Sequence, residues 1–134
     1  MTKEINQLNL PGDLRYAKTH EWAKVVGNKV VVGLDDYAQD QLGDIVFVEM
    51  PEVGAKFKQG EVFANVESVK AVSECYVPIS GEIIAVNKKI EDQPDLANND
   101  CYGEGWLVEV KPANLAEMNG LMDSKACLAS LKGE

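Results

Sequence analysis

The sequence predicts a mostly β core with a helix packed on it at the C-terminal end, and two observations carry that prediction. Between Asp44 and Asn87 the chain runs as short stretches rich in valine, isoleucine and phenylalanine, punctuated by Gly54, Gly60, Pro78 and Gly81. Strands this short and this closely spaced suggest a small barrel or sandwich. After Lys111-Pro112 the pattern changes to "ANLAEMNGLMDSKACLASLKGE", where Leu121, Ala126, Leu128 and Leu131 are available for the apolar face of a helix.

Taken in order, "MTKEINQLNLPGD" is a polar lead-in over residues 1–13 that ends at Pro11-Gly12. It has neither the apolar segment of a signal peptide nor the arginine-rich amphipathic pattern of a transit peptide. Residues 14–134 then read as one domain; a chain of 134 residues buries roughly two-thirds or more of its unfolded surface without needing staples. "EWAKVV" and "KVVVGL" around "GN" form a hairpin pattern. "DDYAQDQLG" reads as a short helix: Asp35 or Asp36 can cap it, Tyr37 and Leu42 sit near helical spacing, and Gly43 can end it. "DIVFVEM" is a strand that stops at Pro51, and "KF", "EVFANVE", "AVSECYV", "EIIAVN" and "GWLVEVKP" are the strands that follow. A short internal repeat, "GEVFANVES" from Gly60 and "GEIIAVNKK" from Gly81, places Lys70 at the turn joining two quasi-symmetric halves.

Thirteen basic against twenty-two acidic residues leave a net charge of -9, which repels phosphate backbones and anionic lipid surfaces. Nucleic acid and membrane are therefore not expected partners, and no apolar run is long enough to span a bilayer. Three cysteines, Cys75, Cys101 and Cys127, are odd in number and without a Cys-x-x-Cys pair. They argue for a reducing compartment and against a disulfide framework or a zinc site. With one histidine, His20, no metal centre is expected, and the thiols read as core or surface groups.

The stretch "VESVKAVSECYVPISG" sets Lys70 between Val69 and Ala71. A lysine in a hairpin turn is most often a solvated charge. A catalytic amine would need burial or a neighbouring cation to lower its pKa, whereas Glu67 and Glu74 flank this one and favour its protonated form. A third role is covalent attachment: an exposed primary amine on a four-carbon stem at a tight turn is open to a modifying enzyme and gives its cargo reach.

"HEW", "DYAQDQLGDIVFVEMPEVG", "VESVKAVS", "PISGEIIAVN" and "YGEGWLVEVKP" resemble, in order and spacing, the successive motifs of the glycine cleavage system H proteins, from about Leu14 to about Leu131. That resemblance implies a lipoyl-carrier fold of the barrel-sandwich hybrid type, a flattened β-sandwich with a short helix after the first hairpin and a helix at the end. It implies lipoate in amide linkage on Lys70. It also implies recognition of the hairpin by lipoate-attaching enzymes through Glu67, three before the lysine, Gly81, eleven after it, and the intervening Ser68, Val69 and Ala71. The implied role is that of a carrier without catalytic residues. It would take the aminomethyl group of glycine from a pyridoxal-phosphate glycine decarboxylase to a tetrahydrofolate-dependent aminomethyltransferase, and be reoxidised by a flavin-containing dihydrolipoamide dehydrogenase. By the same resemblance Thr19, Glu21, Tyr37 and Glu74 would line a cleft that shelters the loaded arm. Tyr37 departs from the histidine that family members can have there, Cys101 from a proline, and Cys75 from an aliphatic residue. Gly103, Gly105 and Trp106 read as a turn and a core anchor.

Other readings remain open at this level. A biotin carrier uses the same hairpin lysine, usually between two methionines, which Val69 and Ala71 are not. An H-like protein that relays lipoyl groups, or an unmodified scaffold, is compatible with the same residues. The expected state is a monomer in transient complexes, in a bacterial-type cytoplasm or as a matured organellar form.

Overall fold

The computed structural model describes residues 4–133; Met1 to Lys3 of the lead-in and Glu134 lie outside the described residues. The first hairpin is β2 (Glu21–Val26) and β3 (Lys29–Leu34), joined through Gly27, whose φ of 63° is open to a residue without a Cβ. A two-residue strand, β1 (Arg15–Tyr16), adds to its edge. α1 (Asp36–Leu42) follows as read: the Asp35 carboxylate accepts from Ala38 N at 2.8 Å, and Gly43, with φ 73°, ends the helix.

The remaining strands are β4 (Ile45–Glu49), β5 (Lys56–Phe57), β6 (Val62–Ser68), β7 (Val72–Tyr76), β8 (Gly81–Val86) and β9 (Val108–Pro112). Pairing is antiparallel throughout, in a six-stranded sheet of order β1-β2-β3-β9-β8-β5 and a three-stranded sheet of order β4-β6-β7. The two segments of the internal repeat become β6 and β8, one in each sheet. The sheets form a flattened sandwich. Val30, Val32, Ile83, Val108 and Val110 of the larger sheet join Val48, Phe63, Val66 and Cys75 of the smaller in one buried cluster. Each fully buried aliphatic or aromatic side chain contributes about 1.5–3 kcal/mol by leaving water.

Alternation along β2 and β3 puts Trp22 and Val31 on the opposite face of the larger sheet, where they pack with Leu10, Leu14, Tyr16 and Cys127 in a second cluster. Trp22 is the principal anchor there: it is buried and donates from Nε1 to the Cys101 carbonyl at 2.9 Å. Trp106, read as a core anchor, is only partly buried at the edge of this cluster. Leu10 and the Asn9 N–H, which donates to Asp36 Oδ2 at 2.8 Å, tie the end of the lead-in to the body.

The C-terminal stretch departs from one helical face. Leu115–Gly120 is a 3-10 turn, Met122 forms a bridge with Tyr16, and only then does α4 (Ser124–Leu131) begin, capped by Asp123. This break rotates the helix so that Cys127 is buried and Ala126 is exposed, because the helix packs on the second cluster rather than on the sandwich interior. Residues 88–99, which show no regular apolar period, fold into α2 (Lys88–Asp92) and α3 (Leu96–Asn99), anchored by Ile90 and Ala97 in the main core. Among the described residues no helix is long and apolar enough to cross a membrane.

Gly81 opens β8 opposite Phe57 and Pro112. A Cβ there would collide with the Lys111 carbonyl oxygen and come within 2.6 Å of Val110 Cγ1. Backbone cannot swing aside as a side-chain tip can, so Gly81→Ala is expected to destabilise the fold by roughly 1–3 kcal/mol, read as a lower urea midpoint at unchanged slope. An unchanged midpoint would mean that the β8–β9 pair spreads without strain.

Candidate functional site

β6 and β7 converge on the turn Val69-Lys70-Ala71, and all three of its backbone N–H groups are hydrogen-bonded. Ser68 Oγ accepts from Lys70 N and Ala71 N, both at 3.1 Å, while Val69 N donates to the Asp44 carbonyl at 3.0 Å. Ser68 N donates to the Ala71 carbonyl at 2.8 Å and closes the strand pair beneath. The turn is thus held from inside by one hydroxyl and from outside by the α1–β4 connection. Among the described residues no acid lies within ion-pair distance of the Lys70 ammonium, and the side chain is exposed.

The neighbours are unusually apolar for a surface. Val69 is 67% exposed and Val72 66%, and Phe47, opposite Glu67 in the β4–β6 pair, is half exposed. Glu67 itself is exposed on β6, and Ala71 is exposed in the turn. Gly81 lies apart from these, buried in the other sheet, where packing alone requires a glycine.

Below the turn the lysine stem runs over Gly43. A Cβ on Gly43 would stand 3.2 Å from Lys70 Cε, so the missing side chain leaves room for the stem. The groove here measures about 460 Å³ and is lined by Gln39, Asp40, Asp44 and Asn98 as well as Val69 and Lys70 of the turn.

 A separate groove of about 550 Å³ lies beside β1 and β7, lined by Tyr16, Gln59, Tyr76, Leu121 and Met122, and no residue of the turn lines it.

α1 divides the lysine groove from a second depression of about 200 Å³. Thr19, Glu21, Tyr37 and Glu74 all line that depression, together with His20 and Leu42. The four residues grouped from the sequence therefore meet at one depression, whose lining does not include Lys70. The Tyr37 ring packs against His20 in a tilted arrangement, with ring centroids 4.6 Å apart. Glu74 is exposed and accepts from the Tyr76 hydroxyl at 3.3 Å.

Glu21 is the buried member, 1% exposed. Its carboxylate accepts from the Thr19 hydroxyl and, at 3.1 Å, from Tyr76 N. Burial pushes its pKa up to about 7, and these two hydrogen bonds offset only part of that rise.

His20, Asp35 and Cys127 place potential ligand atoms within 4.8 Å of one another, a grouping the sequence gives no sign of. Their polar atoms already serve one another: His20 Nδ1 pairs with Asp35 Oδ2 at 2.8 Å, and Cys127 Sγ lies 4.0 Å from the same oxygen. Burial and the Asp35 carboxylate push the Cys127 thiol up to about 12, and burial raises Cys75 as well. All three cysteines are buried thiols.

A flattened two-sheet sandwich that carries one lysine on the tip of a braced hairpin has the fold of the lipoyl carriers. The family model for the glycine cleavage H-protein matches residues 14–134. Glycine cleavage system H proteins of Symbiobacterium thermophilum and Stenotrophomonas maltophilia are similar at 53% and 51% identity, covering 88% and 93% of this chain and 92% and 96% of theirs. The crystal structure of a glycine cleavage system H protein from Mycobacterium marinum superposes with a TM-score of 0.82 at 37% identity, over 93% of this chain and all of that one. The chain belongs to the glycine cleavage H-protein family.

Between the ordinary carboxylate range and about pH 7, folded Glu21 holds a proton that the unfolded chain has released. Its contribution to stability is therefore complete below about pH 4.5 and is lost as pH rises toward 7. Glu21→Gln, which cannot ionise, is expected to lose this dependence, on the order of 3 kcal/mol between pH 4.5 and 8 in urea unfolding. Parallel stability profiles for the two proteins would show that Glu21 does not carry a raised pKa.

Proposed function

We propose that the protein is the lipoylated carrier of the glycine cleavage system, with lipoate in amide linkage on Lys70. The observation that carries this reading is the contrast within the turn: its backbone N–H groups are all bonded, while the Lys70 side chain is exposed and unpaired among the described residues. A fixed backbone presents the amine in one geometry, and an unengaged stem leaves it free to accept a modification and then to swing. The residues around it fit such an arm. Gly43 leaves space under the stem, and Val69 and Val72 offer apolar contact to a modifying enzyme.

Bound lipoate supplies a cyclic disulfide that takes up two electrons and holds a one-carbon unit on sulfur, chemistry that no side chain of this protein provides. The protein supplies the tether, which converts repeated capture of a free cofactor into presentation at high local concentration. On this reading its cargo is the aminomethyl group of glycine, received from a pyridoxal-phosphate decarboxylase and given up to a tetrahydrofolate-dependent aminomethyltransferase. Dihydrolipoamide dehydrogenase then restores the disulfide. The protein itself acts as a carrier and not as a catalyst.

The depression lined by Thr19, Glu21, Tyr37 and Glu74 suits the amine end of that cargo. Glu21 can accept a hydrogen bond from an amine, and an approaching cation draws its carboxyl toward the ionised form. Tyr37 and Leu42 add apolar surface to the lining of the depression. Glu67, Ser68, Val69 and Ala71 are the surface read by the attaching enzyme, and Gly81 contributes through the fold of β8.

Intact mass followed by peptide mapping of protein isolated from lipoylation-competent cells tests the proposal. The expected result is a lipoyl increment on the peptide containing Lys70, absent from Lys70→Arg, with glycine cleavage supported by the first protein and not by the second. A bare or biotinylated Lys70, or a Lys70→Arg protein that still supports glycine cleavage, would contradict it.

A further inference from the structure

We infer that Asn98, on α3 and far from the lysine in sequence, is a positioning residue for Lys70; this rests on the reading of Lys70 as the attachment point. Asn98 Nδ2 donates to the Gly43 carbonyl at 2.7 Å and to Gln39 Oε1 at 3.1 Å, and Asn98 Oδ1 accepts from Ile45 N at 2.9 Å. The amide orientation is fixed by its partners, since a carbonyl can only accept and a backbone N–H can only donate. Gln39 is held in turn: its Nε2 donates to Asp36 Oδ1 at 2.7 Å.

These contacts fall on either side of one residue. The Gly43 carbonyl belongs to the peptide plane before Asp44, and Ile45 N belongs to the plane after it. The second plane also contains the Asp44 carbonyl, the group that accepts from Val69 N at 3.0 Å. Because a peptide unit is rigid, holding Ile45 N aims that carbonyl at the lysine turn. Holding the Gly43 carbonyl fixes the glycine over which the Lys70 stem runs. One side chain therefore sets both the brace on the turn and the floor beneath its lysine.

The connection is specific to this corner. Asn98 is half-buried and bonds to both sides of Asp44, whereas the neighbouring Asn99 is exposed and its side chain bonds at the start of its own helix, to Asp95 Oδ2 at 3.3 Å. An aspartate at position 98 keeps an acceptor for Ile45 N but turns an oxygen toward the Gly43 carbonyl. An alanine leaves both groups without their partner.

The test compares wild type, Asn98→Ala, Asn98→Asp and Asn99→Ala by amide hydrogen exchange and by the rate of lipoate attachment with a lipoate-attaching enzyme. The expected result is faster exchange at Ile45 and Val69, by about fivefold for each net hydrogen bond lost, with Val30 and Val110 in the main core changed less. Attachment kcat/KM is expected to fall several-fold in both Asn98 variants and to stay at the wild-type value in Asn99→Ala. Equal acceleration at Val30, Val110 and Val69 would make Asn98 a general stabiliser and overturn the inference. So would wild-type exchange at Val69, or wild-type attachment kinetics, in both Asn98 variants. If one Asn98 variant does not fold, the other decides. Failure of the wild-type protein to accept lipoate at all would count against the proposed function instead, and the exchange comparison would still judge the brace.

Discussion

One constraint governs the structure: the turn at the end of β6 must be rigid in its backbone while its lysine stays free. Ser68 meets half of that requirement by accepting from two consecutive N–H groups with a single hydroxyl oxygen. The Asp44 carbonyl meets the other half by taking the third. With the N–H groups satisfied locally, the turn has no need of the lysine side chain to complete its hydrogen bonding. The ammonium and its stem, which lose about 2 kcal/mol of rotamer freedom when immobilised, are left out of the fold.

The rest of the molecule holds that turn in place. The brace from Asp44 comes from the connection that leads into β4, and the smaller sheet that β4 joins is anchored by Val48, Phe63, Val66 and Cys75 against the larger one. The larger sheet is in turn backed by a second cluster around Trp22 and Cys127, so that both of its faces are covered where α4 packs. The result is a stiff body with a small, apolar-flanked projection. A net charge of -9 gives that body long-range repulsion from acidic surfaces and attraction to basic ones, in keeping with encounters that form and break.

Much of this was legible in the sequence because local chemistry and fold agree. The Gly27 turn, the Asp35 cap and the Gly43 stop are signals that need no tertiary knowledge, and the hairpin and α1 occur where they predict. The placement of Lys70 at a turn between strands was likewise readable from punctuation and a short repeat. What escaped depends on contacts between distant segments. The C-terminal stretch has an apolar pattern that a single helix could use, but the Tyr16–Met122 bridge breaks it and Cys127 takes the buried position from Ala126. α2 and α3 are short, weakly periodic pieces fixed by Ile90 and Ala97. Burial of Glu21 beside Thr19 and Tyr76, the meeting of His20, Asp35 and Cys127, and the role of Asn98 all join residues more than fifty or even a hundred positions apart in places, where no local signal exists. Gly81 was readable as a glycine that matters, yet its packing against Lys111 and Val110 could only come from the register of β8 and β9.

The most direct test of a rigid mount with a free arm is 15N backbone relaxation of the unmodified protein, read at Val69, Lys70 and Ala71. Order parameters at these three amides are expected to be close to those of β6 and β7, about 0.85, together with averaged side-chain signals for Lys70. Values below about 0.6 at the turn would mean that the backbone moves with its lysine, and that the mount is not rigid.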